Sequence, residues 1–512
     1  MKPTREQQAV IEARGDRDLA VNALAGAAKT TTLEMRARAN PNRKILYVAF
    51  NKAIETEARK RFPSNVTCKT THALAFRQFG RRFANADQLR EPRAADAQRV
   101  FSVKALKDRG PGYIRILLET VQQYMASSDR EIGPQHVPET TRKGLGFPVD
   151  MIVPHATHLW ERMKDVRDDR MPMPHDGYLK LFQLSGPQFG GMFDEIDLDE
   201  AQDTNPALFD VFRSQQGIQK VAVGDTHQSI YGFRGAMDVM QSMEGAETLA
   251  LTGSFRFGPE LAEVANLILG DFLNSEYLLS GLGERTDIRT GGDFLHDSQP
   301  ACLLYRTNGG LFQAAAYLLE NAPRQHWVGG LKSYGLNTIM DVYRLYSGEK
   351  REIRDPMIRR FRDLDEAQEY ASAAGDNDLL SRIRIVMRYG DHIPQLLSHL
   401  RDAECSDPNQ ADIILTTAHR AKGREFDRVV IGNDFVRTMY EPRAKGIGEE
   451  SALRVPRIFG WLPDERDHAL PSEEELRLLY MAVTRGRREV RLNRDLVSLW
   501  NWARGVGEEK AA

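Results

Sequence analysis

Short apolar runs, each followed by a helical pattern, recur along this chain and constrain its fold more than any other feature. Leu19 to Leu24 reads as a buried strand, and Lys29 to Ala39 as the helix after it. Lys44 to Phe50 predicts a second strand, Asn51 caps a helix that stops before Pro63, and Val66 to Thr70 predicts a third strand. Strands alternating with helices in units of about 30 residues predict a parallel sheet covered on both faces. The rhythm breaks from 81 to about 185, where Arg, Asp and Pro are frequent and an irregular, mainly helical insertion is expected. It resumes at Met192 to Leu198, Lys220 to Val223 and Glu247 to Leu251, then at Ala301 to Arg306, Asp412 to Thr416, Arg428 to Ile431 and Glu489 to Leu492. A charged helical stretch occupies about 333 to 408, and 436 to 470 reads as a long loop.

A chain of 512 residues exceeds what one hydrophobic core organises. The expectation is two α/β cores, each with a mainly helical insertion. The first comprises 1–80 and 186–250 around the insertion 81–185, and the second 251–332 and 409–512 around 333–408. Lys plus Arg total 70 against 72 for Asp plus Glu, a formal net charge of -2, which argues against a bulk polyanion binder while permitting a local basic groove. Cys68, Cys302 and Cys405 are far apart and form no CxxC pair, so structural zinc, an iron–sulfur cluster and a disulfide framework are not expected. The start of the chain has no signal-peptide core, and no apolar run approaches the roughly 20 residues that span a bilayer. No membrane partner and a cytoplasmic, nucleoid-associated location are the expectations.

Between the first strand and its helix lies Ala23-Leu24-Ala25-Gly26-Ala27-Ala28-Lys29-Thr30. Walker phosphate loops read GxxxxGK[ST]: backbone amides wrap the phosphates, Lys neutralises charge and the hydroxyl binds magnesium. Lys29 and Thr30 stand where that pattern needs them, but Ala23 and Ala28 occupy both glycine positions. If position 28 needs positive φ, Ala costs about 1–2 kcal/mol there. If it needs only close packing, one methyl is tolerable. Taken alone, the octapeptide fits a plain strand–turn–helix as well. Asp199-Glu200-Ala201-Gln202-Asp203 supplies the second half of such a site. An Asp ending a strand holds magnesium, and the adjacent Glu polarises the attacking water. The bland alternative is an acidic helix start.

Val223-Gly224-Asp225-Thr226-His227-Gln228-Ser229-Ile230-Tyr231-Gly232-Phe233-Arg234-Gly235-Ala236 resembles the third motif of UvrD/Rep-like superfamily 1 DNA helicases. Ser254-Phe255-Arg256 resembles the fourth, Thr417 to Phe426 the fifth, and Tyr480 to Arg485 the sixth. The resemblance implies two RecA-like parallel-sheet P-loop domains and hydrolysis of ATP with Mg2+. It makes Gln228 a γ-phosphate sensor, and Arg256 and Arg485 arginines that reach the γ-phosphate. It makes Gln7 and Phe255 adenine contacts and Glu425 a ribose contact. Ala25, Gly26, Ala27 and Ala28, with Lys29, Thr30 and Thr31, would line the nucleotide. Single-stranded DNA would meet Phe50, Asn51 and Lys52, Thr71 and His72, then Tyr231, Phe233 and Arg234, and Arg306, Thr417 and His419 on the second core. Aromatic faces suit single strands, at roughly 1–3 kcal/mol per stacked base. Tyr231 and Phe233 also fit core positions, Lys52 a solvated helix face, and His72 a buried structural histidine.

Phe62-Pro63-Ser64-Asn65-Val66, His175 to Leu181, Ser254 to Gly258 and Gly329 to Leu336 look like the F-box DNA helicase branch of this family, a likeness running from about residue 3 to 495. An F-box would precede the core, and this chain is expected to be a stand-alone core without one. The resemblance implies 3′ to 5′ movement on single-stranded DNA, action on tailed duplexes, and removal of recombinase filaments or work with other DNA-repair proteins. Departures from the family pattern are Ala28 for Gly, Thr71 for the usual aromatic and Phe255 for the common Tyr. Two other readings stay open: a nucleotide-gated DNA-binding protein with weak ATPase because of Ala28, and a P-loop enzyme acting on RNA or protein, although no RNA-binding module is recognisable.

Overall fold

The computed structural model describes residues 2–13, 17–101, 110–142, 147–230, 239–291, 294–295, 299–374, 376–435, 473–494, 496–497 and 500. The chain divides into two compact units, Met1–Thr252 and Gly253–Ala512. The fold is α/β, with a parallel sheet in each unit.

In the first unit the strands are β1 (Leu19–Ala23), β2 (Ile45–Ala49), β3 (Val66–Thr70), β4 (Glu195–Asp199), β5 (Gln219–Gly224) and β6 (Glu247–Leu251). They lie in the order β3-β2-β4-β5-β1-β6, with every neighbouring pair parallel. Parallel strands need crossovers, which the sequence supplies as helices. Helix α1 (Arg5–Glu12) begins at Thr4, whose hydroxyl accepts from Gln7 N–H while the Gln7 side chain accepts from Thr4 N–H, a reciprocal cap. Helix α2 (Lys29–Ala39) follows β1. Helix α3 (Lys52–Arg61) is capped by Asn51, which accepts from Ile54 N–H at 3.0 Å, and it stops short of Pro63.

Side chains alternate across each strand, so one sheet carries two cores. Tyr47, Ala49, Leu19 and Val21 pack with Leu33 of α2 and Ala58 of α3. Ala20, Leu46, Val48, Ile196 and Leu198 face the other way, against Leu117, Tyr124, Trp160 and Phe182. Those last residues belong to helices between β3 and β4, including Gly110–Ala126, Val149–Lys164 and His175–Leu184. On the α2 side, Glu195 of β4 accepts from Arg36 Nε and Nη2, both at 3.0 Å, and pairs with Arg43 at 3.2 Å. Arg36 also donates to the Val10 and Ala13 carbonyls, so this buried ion pair is fully bonded and ties α1, α2 and β4 together.

In the second unit, β7 (Gly253–Ser254) pairs with β8 (Ser280–Gly281). The larger sheet contains β9 (Asp287–Arg289), β10 (Ala301–Tyr305), β11 (Gln325–Trp327), β12 (Ile413–Thr417), β13 (Phe426–Ile431) and β14 (Gly486–Arg491), in the order β11-β12-β10-β13-β14-β9. Helices Leu336–Tyr346, Leu364–Ala374, Asn377–Tyr389 and Ile393–Asp402 lie between β11 and β12. They bury Ile339, Val342, Leu379, Ile383 and Leu397 in one core with Leu303 and Leu415 of the sheet.

The strand expected at Met192 begins only at Glu195, because Gly191 turns the chain at φ +81°. Strands β9 and β11, three residues each, were not anticipated, since neither carries an apolar run. The loop expected over 436–470 lies outside the described residues.

Candidate nucleotide site

Parallel strands put all their carboxyl ends on one edge, where ligands of open α/β sheets bind. At that edge of the first unit the loop after β1 leads into the amino terminus of α2. Gly26 has φ +76° and Ala28 φ +55°, so position 28 does need the left-handed conformation. Loops with such residues, ending at a helix amino terminus, gather backbone N–H groups into anion-binding concavities. Ala28 is therefore a strained alanine rather than a packing compromise. Ala28→Gly is expected to stabilise the folded chain by about 1 kcal/mol, the left-handed strain less the added freedom of glycine when unfolded. Urea unfolding of the two chains measures it, and an unchanged or lower midpoint contradicts it.

Lys29 Nζ lies 3.3 Å from Glu200 Oε2. Thr30 Oγ1 donates to Asp199 Oδ2 at 3.0 Å, and the Tyr47 hydroxyl donates to the same oxygen. Asp199 Oδ1 accepts from Glu200 N–H at 2.9 Å. Glu200 itself has φ +52°, a backbone conformation that costs about 1–3 kcal/mol and is found at functional sites. After β5, Gln228 Nε2 donates to Asp225 Oδ2 at 2.7 Å. Gln7 donates from Nε2 to Thr32 Oγ1 at 3.0 Å, which sets its amide against α2. Thr31 accepts from Arg61 at 2.8 Å, and Ala25 and Ala27 are buried in the loop.

Electrostatics follow from this crowding. Burial pulls the Lys29 ammonium down, but Glu200, then Asp199 and Asp225, outweigh it, so its pKa ends above the ordinary value and it is charged. Burial, then Glu200, push Asp199 above the usual carboxylate range, against the pull of Lys29 and the hydrogen bonds from Tyr47 and Thr30. Three carboxylates around one ammonium leave room for a further cation. Thr30 and Asp199 offer the hard oxygen donors that magnesium takes, one or two from protein with the rest from phosphate and water. The residues fit that ion.

A cleft of about 1070 Å³ in the same unit is lined by Phe50, Thr71 and His72 and also by Asp199, Asp203 and Asn205. Three of the residues expected to touch a nucleic acid, Phe50, Thr71 and His72, thus share a cavity with the strand end that carries Asp199. Phe50 is 45% exposed. Asn51 is occupied as the α3 cap, and Lys52 reaches Glu55 at 2.5 Å while remaining mostly exposed. Thr71 is buried. His72 sits edge-on to Tyr178, and burial holds its pKa down although Asp176 opposes that shift. Tyr231, Phe233 and Arg234 lie outside the described residues.

In the second unit, Arg256 Nε donates to Glu425 Oε2 at 2.9 Å and its Nη1 to the Thr484 carbonyl at 2.9 Å. Arg485, only 2% exposed, donates from Nε to the Met481 carbonyl at 2.9 Å and from Nη2 to Thr484 Oγ1 at 3.4 Å. Arg256 and Arg485, both expected to face one nucleotide, thus converge on Thr484, with Glu425 joined through Arg256 and half-buried Phe255 next to it. Thr417 is buried at the start of the short helix Ala418–Ala421, which carries half-buried His419. Arg306 is committed elsewhere: its Nε lies 2.7 Å from Glu475 Oε2. Tyr47, Gln202 and Asp225 were missed from the sequence as members of the site, although Gln202 and Asp225 sit inside its motifs.

Residues 188–245, which span Asp199, Glu200 and Gln228, match the UvrD/REP helicase N-terminal domain. F-box DNA helicase 1 of Gallus gallus is 34% identical over 530 residues, covering 98% of this chain and 50% of the relative. The chain is thus similar to UvrD/Rep-like DNA helicases, by the family match over 188–245 and by likeness to a DNA helicase along almost its whole length. F-box DNA helicase protein 1 of Schizosaccharomyces pombe is 28% identical over 97% of this chain and 58% of its own length. ATP-dependent DNA helicase UvrD2 of Mycobacterium tuberculosis is 25% identical over 57% of this chain and 46% of its own. The chain spans only 50% and 58% of the length of the two F-box relatives.

Proposed function

We propose that this chain is an ATP-driven motor on single-stranded DNA that uses hydrolysis to unwind tailed duplexes or displace DNA-bound protein. The observation that carries the reading is the single cleft in which Phe50, Thr71 and His72 meet Asp199 at the edge holding Lys29, Thr30 and Glu200. Nucleotide chemistry and strand contact at one cavity wall are what coupling requires. The relatives named as DNA helicases favour DNA over RNA; 3′ to 5′ movement and recombinase filaments as one target are what the motif resemblance implies.

In this reading Lys29 neutralises the β- and γ-phosphates, and Glu200 takes the proton of the attacking water. Thr30 and Asp199 would hold magnesium, which when bound supplies charge neutralisation on the phosphates. Gln228, anchored by Asp225, senses the γ-phosphate, while Arg256 and Arg485 stabilise its developing charge. Gln7 and Phe255 bind the base and Glu425 the ribose. Exposed Phe50 offers a stacking face. The cleft also carries Glu91, Glu119, Asp129 and Asp176, so bases rather than phosphates turn toward that wall. The competing view of a nucleotide-gated binding protein draws on the strained Ala28; it predicts near-zero turnover that Ala28→Gly restores. Duplexes with 3′ and 5′ single-stranded tails test the motor: ATP-dependent strand release from 3′-tailed substrates alone is expected. Release from 5′ tails alone overturns the polarity, and release from neither confines the motor to translocation.

A further inference from the structure

We infer that Gln202 is a positioning residue that ties Glu200 to the loop bearing Gln228, so that the arrangement of that loop aligns the carboxylate acting on water. The inference rests on the reading of Lys29, Asp199 and Glu200 as an ATP-hydrolysing site. Gln202 is buried in the turn Ala201–Asp203 after β4. Its Nε2 donates to Glu200 Oε2 at 2.6 Å, and its Oε1 accepts from Asp225 N–H at 3.1 Å. Neither end of the amide is interchangeable. A backbone N–H must face oxygen, and a carboxylate must face the NH2, so the two partners fix the flip of the group. Ser229 Oγ donates to the Gln202 carbonyl at 3.1 Å, a second tie to the same loop. Asp225 in turn holds Gln228 at 2.7 Å and accepts from His227 N–H at 3.0 Å. A planar amide thus bridges the water-activating carboxylate and the residue that anchors the phosphate sensor.

Two further features belong to the same arrangement. Residue 224 is glycine, and a Cβ built there collides with Gln202 Oε1, so the amide reaches Asp225 only because that side chain is missing. Glu200 Oε2 is shared by Lys29 and Gln202. A phosphate that draws the Lys29 ammonium weakens one of these contacts and leaves the Gln202 hydrogen bond on the same oxygen. Any shift of the Asp225 amide rotates the Gln202 plane and carries Glu200 with it. Buried polar bridges of this kind act as units, since one unsatisfied end is costly.

The test is steady-state ATP hydrolysis by the full chain with single-stranded DNA, comparing wild type, Gln202→Ala, Gln202→Glu, Gly224→Ala and the Gly224→Ala/Gln202→Ala double variant. Gln202→Ala is expected to lower kcat about tenfold or more with KM for ATP within about twofold. Gln202→Glu keeps the size but sets an oxygen where an NH2 faced the Glu200 carboxylate, and is expected to lower kcat at least as far as Gln202→Ala with KM for ATP again within about twofold. Gly224→Ala should reproduce the kcat loss in wild type yet add little to Gln202→Ala, because both remove the same bridge. Where Gln202→Ala disturbs folding, the split between kcat and KM in the near-isosteric Gln202→Glu decides. Turnover within about twofold of wild type in Gln202→Ala or Gln202→Glu overturns the inference while DNA-stimulated wild-type hydrolysis leaves the motor reading standing. Absence of ATP hydrolysis in every chain, wild type included, sinks both.

Discussion

Glu200→Gln is expected to bind ATP as wild type does and to lose about 10²–10⁴-fold in turnover, the range that a positioned general base contributes. The argument is geometric. Glu200 is held in a left-handed backbone conformation, with Oε2 between Lys29 at 3.3 Å and Gln202 Nε2 at 2.6 Å. Gln at 200 keeps the shape and removes the base. It also removes the largest attraction that keeps Lys29 charged, but Asp199 and Asp225 still raise that ammonium, so phosphate binding survives. Lys29→Ala is expected to differ in kind, losing affinity as well as turnover, since the phosphate charge then meets Asp199, Glu200 and Asp225 without a counter-ion. Fluorescent-nucleotide binding beside single-turnover hydrolysis separates the two variants. Wild-type hydrolysis by Glu200→Gln would remove Glu200 from the chemistry.

The second large effect belongs to the other unit. Arg485→Ala is expected to reduce turnover by about 10³–10⁵-fold, as loss of an arginine finger does, with ATP affinity little changed. Arg485 is buried just beyond the helix Glu473–Val483 and turns its guanidinium to the Met481 and Arg424 carbonyls and the Thr484 hydroxyl, neutral partners that a phosphate outcompetes. Arg256, already paired with Glu425 and exposed to only a modest degree, should show a loss in the same direction. Arg485→Lys keeps the charge but not the planar fork and is expected to rescue little. Stopped-flow binding with single-turnover kinetics reads this out, and an Arg485→Ala chain that turns over as fast as wild type contradicts the assigned role.

Much of the architecture was legible because burial on both faces of a parallel sheet writes itself as short apolar runs. Lys29–Ala39, Val66–Thr70 and Glu247–Leu251 were expected with the bounds observed. Local spacing points to the phosphate-loop and DEAQD residues, but taken alone the octapeptide fits a plain strand–turn–helix as well. Other features depend on partners that no local pattern reveals. Tyr47 lies in an apolar strand and reads as core, yet its hydroxyl reaches Asp199 across 152 residues of sequence. Arg306 was expected at DNA, but its guanidinium meets Glu475, 169 residues away. At position 28 the sequence left two possibilities open, and only the backbone angle chose between them. Strands β9 and β11 escaped because their neighbours in the sheet, not their composition, make them strands.

The most direct measurement is ATP hydrolysis by the full chain with and without single-stranded DNA, across DNA lengths and salt concentrations, beside Lys29→Ala as the blank. The account predicts hydrolysis that DNA stimulates strongly, that weakens as salt rises, and that vanishes in Lys29→Ala. Turnover indifferent to DNA at every length and salt concentration would contradict it.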